Sequence, residues 1–243
     1  MSRGRRTVRT AARSPLPAVL LVVGGLLALT AGCRPQASQP AASPASGAGP
    51  SSASSPAGPM AHSAPATPTS AEALEALVVT RVPSGLPRMP DAALTPPAGE
   101  KTLDDVAGYA SDQSEERRVL RDYGFRYGWE RFWGTGTVPV TSVFVEQFSA
   151  PSGAAAFSAD LAGNDAAHYR AVLHEDPAGF PDGCRLLTVD RPQPDVGLPG
   201  PAAFAWCAHG DFSVAVTAVA GSADAARAEV AALVEEQLAR LPG

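Results

Sequence analysis

Between Arg34 and Ser70 the chain offers almost nothing to bury, and that limits which parts of it can fold. The segment is built mainly from Ala, Ser, Pro, Gly and Thr, with Arg34 its only Arg or Lys and no Asp or Glu. It has no apolar periodicity, so nothing offsets the entropy cost of ordering its backbone. It is expected to be a disordered spacer. As a flexible chain it would span on the order of 35 Å, and its prolines would stretch it further. Ser and Thr interleaved with Pro is also the composition of O-glycosylated segments. Folding must therefore be sought in residues 71–243, which make one domain by the usual size range.

Residues 1–32 have the three parts of a secretory signal. Arg3, Arg5, Arg6, Arg9 and Arg13 give a cationic start, and Ala18 to Ala31 then runs without a charge. That run is shorter than the ~20 apolar residues a spanning helix needs. The signal ends in Leu29-Thr30-Ala31-Gly32-Cys33. Small residues at 31 and 32 suit the narrow subsites of a peptidase, and the Cys33 thiol can carry a thioether-linked lipid. This stretch resembles the cleavage and lipid-attachment box of bacterial lipoproteins. The resemblance implies removal of residues 1–32, a diacylglyceryl group on Cys33, and a mature chain anchored at the outer face of the cell membrane. Two or more acyl chains hold a protein there stably, where one does not. The alternative is ordinary signal cleavage with Cys33 left as a free thiol. Arg5-Arg6 leaves twin-arginine export open beside the general route.

Charge narrows the partners. Five of the 19 basic residues lie in the leader, so the rest carries 14 against 24 acidic residues, a formal charge of −10. Nucleic acid is not expected as a partner, nor is a basic face that adheres to anionic lipid. Lys101 is the only lysine, arginine supplying every other strong positive charge. Together with the Ala, Gly and Pro excess, this usage resembles proteins of GC-rich actinobacteria.

Within the domain, Ala71 to Leu77 reads as a short helix and Val78 to Pro97 as extended chain. Helix starts again near Thr102, and Asp112 with Glu115 forms a capping pair that restarts it before a Gly124 C-cap. Period-two alternation then places Phe125, Tyr127, Trp129 and Trp133 on one face of a strand, with Arg126, Glu130 and Phe132 on the other. A turn at Gly134-Thr135-Gly136 leads to a second strand through Val138, Val140, Phe144 and Phe148. Ser149 or Ser152 is expected to cap a helix through Phe157 and Leu161 that ends at Gly163, and Tyr169 to Leu173 to form a short strand. Cys184 to Val189, Ala202 to Ala208 and Phe212 to Val219 read as further strands. A final helix capped by Ser222 carries Val230, Leu233, Val234, Leu238 and Leu241 on one stripe. The sum is an α+β domain with a largely antiparallel sheet of about five strands and helices packed on one face.

The end of the chain, with Cys184, Cys207, the His209-Gly210-Asp211 turn, the last strand and the amphipathic helix, resembles extracytoplasmic sensor-type domains of actinobacterial lipoproteins and receptor kinases. The run Tyr123-Gly124-Phe125-x-x-Gly128-Trp129-x-Arg131-x-Trp133 is similar to one that recurs in lipoproteins of the same bacteria. Neither resemblance brings catalytic residues with it.

Three candidate sites emerge. The aromatic run from Tyr123 to Trp133 mostly reads as core, but Phe132 with Arg126 and Arg131 could line a groove for a ligand or partner, since Arg and aromatics anchor interfaces. His168 and His174, with Glu175 and Asp176, are the metal-ligand types in sequence proximity, in a spacing that matches no zinc signature; a solvated loop is the plainer reading. There is no Gly-x-Ser-x-Gly, phosphate-binding glycine loop, Ser-x-x-Lys or cofactor motif. The expected function is a non-catalytic binding or sensing module with an envelope or protein partner. The alternative is a metal-assisted hydrolase of envelope material built around His168 and His174.

The third site is structural. With Cys33 committed to lipid, Cys184 and Cys207 remain as one pair in a compartment where thiols oxidise. If residues 184–189 pair antiparallel with 202–207, opposed positions sum to 391 and Cys184 faces Cys207, within reach of a disulfide.

Overall fold

The structure, a computed structural model, describes residues 66–243; the signal, Cys33 and most of the spacer lie outside the described residues. Seven strands form a single antiparallel sheet: β1 (Gly99–Lys101), β2 (Phe125–Gly134), β3 (Val140–Phe148), β4 (Leu173–Glu175), β5 (Cys184–Val189), β6 (Ala202–His209) and β7 (Phe212–Val219). Their spatial order is β1-β2-β3-β7-β6-β5-β4. Five helices accompany it: α1 (Ala71–Glu75), α2 (Leu103–Ala107), α3 (Gln113–Tyr123), α4 (Pro151–Tyr169) and α5 (Ala223–Leu238). The α+β class and the antiparallel sheet are as expected; the three-residue edge β1 was not expected, and the other three-residue edge, β4, stands near the short strand expected at Tyr169 to Leu173. Among the described residues no helix is long and apolar enough to cross a membrane.

Helices cover both faces of the sheet, not one. On the first face α5 lays Val230, Leu233, Val234 and Leu238 over Val214, Val216, Ala203 and Ala205, joined by Leu74, Val78 and Val79 from the N-terminal segment. On the second, α4 packs Ala162 and Tyr169 against Leu187, Phe204, Trp206 and Val219, and farther along packs Ala154 and Phe157 with Phe125 and Phe148. The interior strand β6, between β7 and β5, explains this arrangement. Ala202 to Cys207 are all buried, and a strand apolar on both sides needs a layer on each.

Local signals account for most boundaries. Asp112 accepts from the Glu115 amide at 3.0 Å, Gly124 ends α3 in the left-handed region at φ 78°, and Ser222 caps α5. Thr102 and Asp105 form a capping box on α2. α4 departs from expectation at both ends. It starts with Pro151 at its first turn and no side-chain cap, and it runs through Gly163 to Tyr169. The burial of Ala162 and Tyr169 on either side of that glycine outweighs the roughly 1 kcal/mol that glycine costs inside a helix. The strand expected from Tyr169 therefore starts later, as β4. Strand β2 also slips register between Phe125 and Tyr127. This turns Phe125 toward α3 and α4, away from Tyr127, Trp129 and Trp133, which lie on the first face with the α1 segment.

Strands β5 and β6 pair in the expected register, Cys184 with Cys207 and Leu187 with Phe204. A disulfide joins the two cysteines, whose Cα atoms are 4.1 Å apart. With a separation of 23 residues, chain entropy gives it about 3 kcal/mol. Reduction is expected to lower the free energy of unfolding by that amount, seen as a lower denaturation midpoint. Alkylation of Cys184 or Cys207 in the native, unreduced protein would contradict the bond.

A buried charged cluster as the candidate functional site

The second face carries a row of polar residues across four strands. Lys101 on β1 pairs with Gly128 on β2, Gly128 with Glu146 on β3, and Glu146 with Ser213 on β7. Glu130 lies two residues along β2 on the same face. Gly128 leaves the lane between its neighbours open: a Cβ there would stand 3.2 Å from Glu146 Cγ and 3.5 Å from Lys101 Cβ. Lys101, Glu130 and Glu146 are 3%, 2% and 5% exposed.

Lys101 Nζ lies 3.0 Å from Glu130 Oε2, donates to the Pro97 carbonyl and sits 5.7 Å from the centroid of the Tyr109 ring. The Tyr109 hydroxyl donates to Glu130 Oε1 at 2.7 Å. Glu130 thus has a partner on each oxygen. Glu146 Oε2 is buried without a hydrogen-bond partner; Ser213 Oγ is near enough to ease its ionisation but makes no well-aligned bond.

Burial disfavours charge here. It pushes Glu130 up to about 7, against the opposing pull of Lys101 and Tyr109. Burial, followed by the charge of Glu130, pushes Glu146 up to about 8. The Tyr109 hydroxyl is raised by burial and then by Glu130. Two buried carboxyls that resist ionising beside the Lys101 side chain make the kind of perturbed cluster that marks functional sites.

The residues singled out in the sequence do not assemble into one site. Arg131 and Phe132 are both buried, on opposite faces of β2. Arg131 Nη1 donates to the carbonyls of Val78 at 2.6 Å and Val79 at 3.0 Å, and Nη2 to Glu75 at 2.9 Å. Phe132 packs edge-on against Phe144, with ring centroids 5.5 Å apart. Arg126 is exposed, its guanidinium 5.5 Å from the Tyr127 ring centroid. The groove expected from these three is corrected to a structural clamp, a core contact and a surface arginine.

His168 lies in the last turn of α4 against the Tyr169 ring, whereas His174 is exposed on β4 opposite Leu186. Glu175 pairs with Arg185 at 2.8 Å. Among the described residues no three His, Cys, Asp or Glu side chains gather as metal ligands would.

The charged cluster itself was not anticipated from sequence. Two signals pointed to it: the sole lysine of an arginine-rich chain, and glutamates at inward positions of strands otherwise built from aromatic and β-branched residues.

No protein-family model matches the chain, and no curated protein matches it. Among solved structures, the extracellular domain of PknH from Mycobacterium tuberculosis is similar at a TM-score of 0.44 and 13% identity, over 70% of this chain and 97% of that one. A likeness of that size assigns no function.

Proposed function

We propose that the chain is a surface lipoprotein whose folded domain, held outside the cytoplasmic membrane by lipid on Cys33 and a spacer reaching Ser70, acts as a non-catalytic binding or sensing module. The observation that carries the reading is the Cys184–Cys207 disulfide, the kind of bond that persists in oxidising compartments, in a chain that begins with a lipoprotein-like signal. The expected partner is an envelope component or another membrane protein, and the acidic balance argues against nucleic acid.

The competing reading, a metal-assisted hydrolase of envelope material around His168 and His174, gains no support from their placement on separate elements. Metal analysis of the purified, dialysed protein separates the two. The module is expected to carry no stoichiometric zinc, and one zinc per chain would reverse the ordering.

A further inference from the structure

We propose that Lys101 and Glu130 condense into an intramolecular isopeptide bond that staples edge strand β1 to β2, with Glu146 as the proton-transfer partner. Nζ lies 3.0 Å from Glu130 Oε2, which holds the amine beside the carboxyl it would attack, and fixed reactants of this kind reach effective concentrations no free amine and acid can match. Each of the two side chains is almost wholly buried. In such surroundings moving a proton from the ammonium to the carboxylate, which leaves a neutral amine and a neutral acid, is much less costly than in water.

The neutral Lys101 amine attacks Glu130 Cδ. Tyr109, already donating to Oε1, stabilises the oxygen that becomes negative. Glu146, neutral when buried, gives its proton to the departing Oε2 hydroxyl and takes one from the new N–C bond. One C–O bond breaks, one C–N bond forms and one water leaves; no oxidant or cofactor enters. The missing side chain at Gly128 keeps the path from Glu146 toward Lys101 open.

A second observation is independent of the distances. The chain uses arginine for every strong positive charge except this one. Arginine would make an ion pair at least as well, but its guanidinium stays protonated and cannot act as the amine nucleophile. The product also has a structural use, because β1 has only three residues and a single neighbouring strand.

Peptide mapping of the full chain purified from membranes, denatured, reduced and digested, tests the bond. The expected result is a branched peptide joining Lys101 to Glu130, lighter by one water than its two arms, and its loss in Lys101→Arg. Recovery of Lys101 and Glu130 only in separate, unmodified peptides of the parent protein would overturn the proposal, whatever the variants do. Glu146→Gln is expected to leave the two peptides unlinked; full cross-linking in that variant would remove Glu146 from the chemistry.

Discussion

Replacing Arg131 by alanine is expected to destabilise the domain by about 2–5 kcal/mol, at roughly 1–3 kcal/mol for each of the two buried carbonyls left without a donor. The segment after α1 has no strand partner where it crosses the first face, yet its backbone is buried and must find hydrogen bonds. Two side chains supply them. Arg131 donates to Val78 and Val79. Gln237 from α5 accepts from the Val79 amide at 2.9 Å and donates to the Leu77 carbonyl at 3.1 Å. Without the guanidinium, two carbonyls lose their donor and Leu74, Val78 and Val79, all fully buried, lose the clamp that holds them on the sheet. Urea denaturation followed by tryptophan fluorescence measures the loss. An unchanged midpoint would show that the Arg131 clamp adds nothing to the stability of the domain.

Stability is expected to fall as pH rises from 5 to 9, by on the order of 4 kcal/mol through Glu146 alone. Its folded pKa, about 8, lies above the ordinary 4.5 because of burial and then the charge of Glu130. The folded state therefore holds the proton more tightly than the unfolded chain. That contribution is fully present below about 4.5 and is lost as pH passes through about 8. Asp165, pushed up to about 7 by burial, acts in the same direction. Burial is the larger cause at Glu146 and operates whether or not Glu130 is tied up as an amide. Denaturation midpoints at the two pH values give the slope, and Glu146→Gln, which mimics the neutral acid, should flatten it. A slope left unchanged by that substitution would show that Glu146 does not carry the pH dependence.

Much of the fold was legible because its signals are local. Alternation marked the long strands, Asp112, Gly124 and Ser222 marked helix ends, and the strand reading of residues 184–207 put the two cysteines opposite each other. What escaped depends on neighbours distant in sequence. The three residues of β1 carry no period of their own. The run Ala202 to Cys207 did signal a strand covered on both sides, but its small residues blunted that signal. Arg131 among aromatics looks like an interface anchor until α1 is seen folded over it. Lys101, Glu130 and Glu146 stand in separate elements, and only the register of three strands unites them around Gly128.

Detergent phase partitioning of the full-length protein beside Cys33→Ala, with protease added to intact cells, tests the central claim that this is a lipid-tethered domain outside the membrane. The parent is expected in the detergent phase, cleaved after residue 32 and open to protease at the spacer, while Cys33→Ala stays uncleaved or escapes into the medium. A Cys33→Ala protein that is still cleaved and still enters the detergent phase, or a parent shielded from protease until the cells are broken, would contradict it.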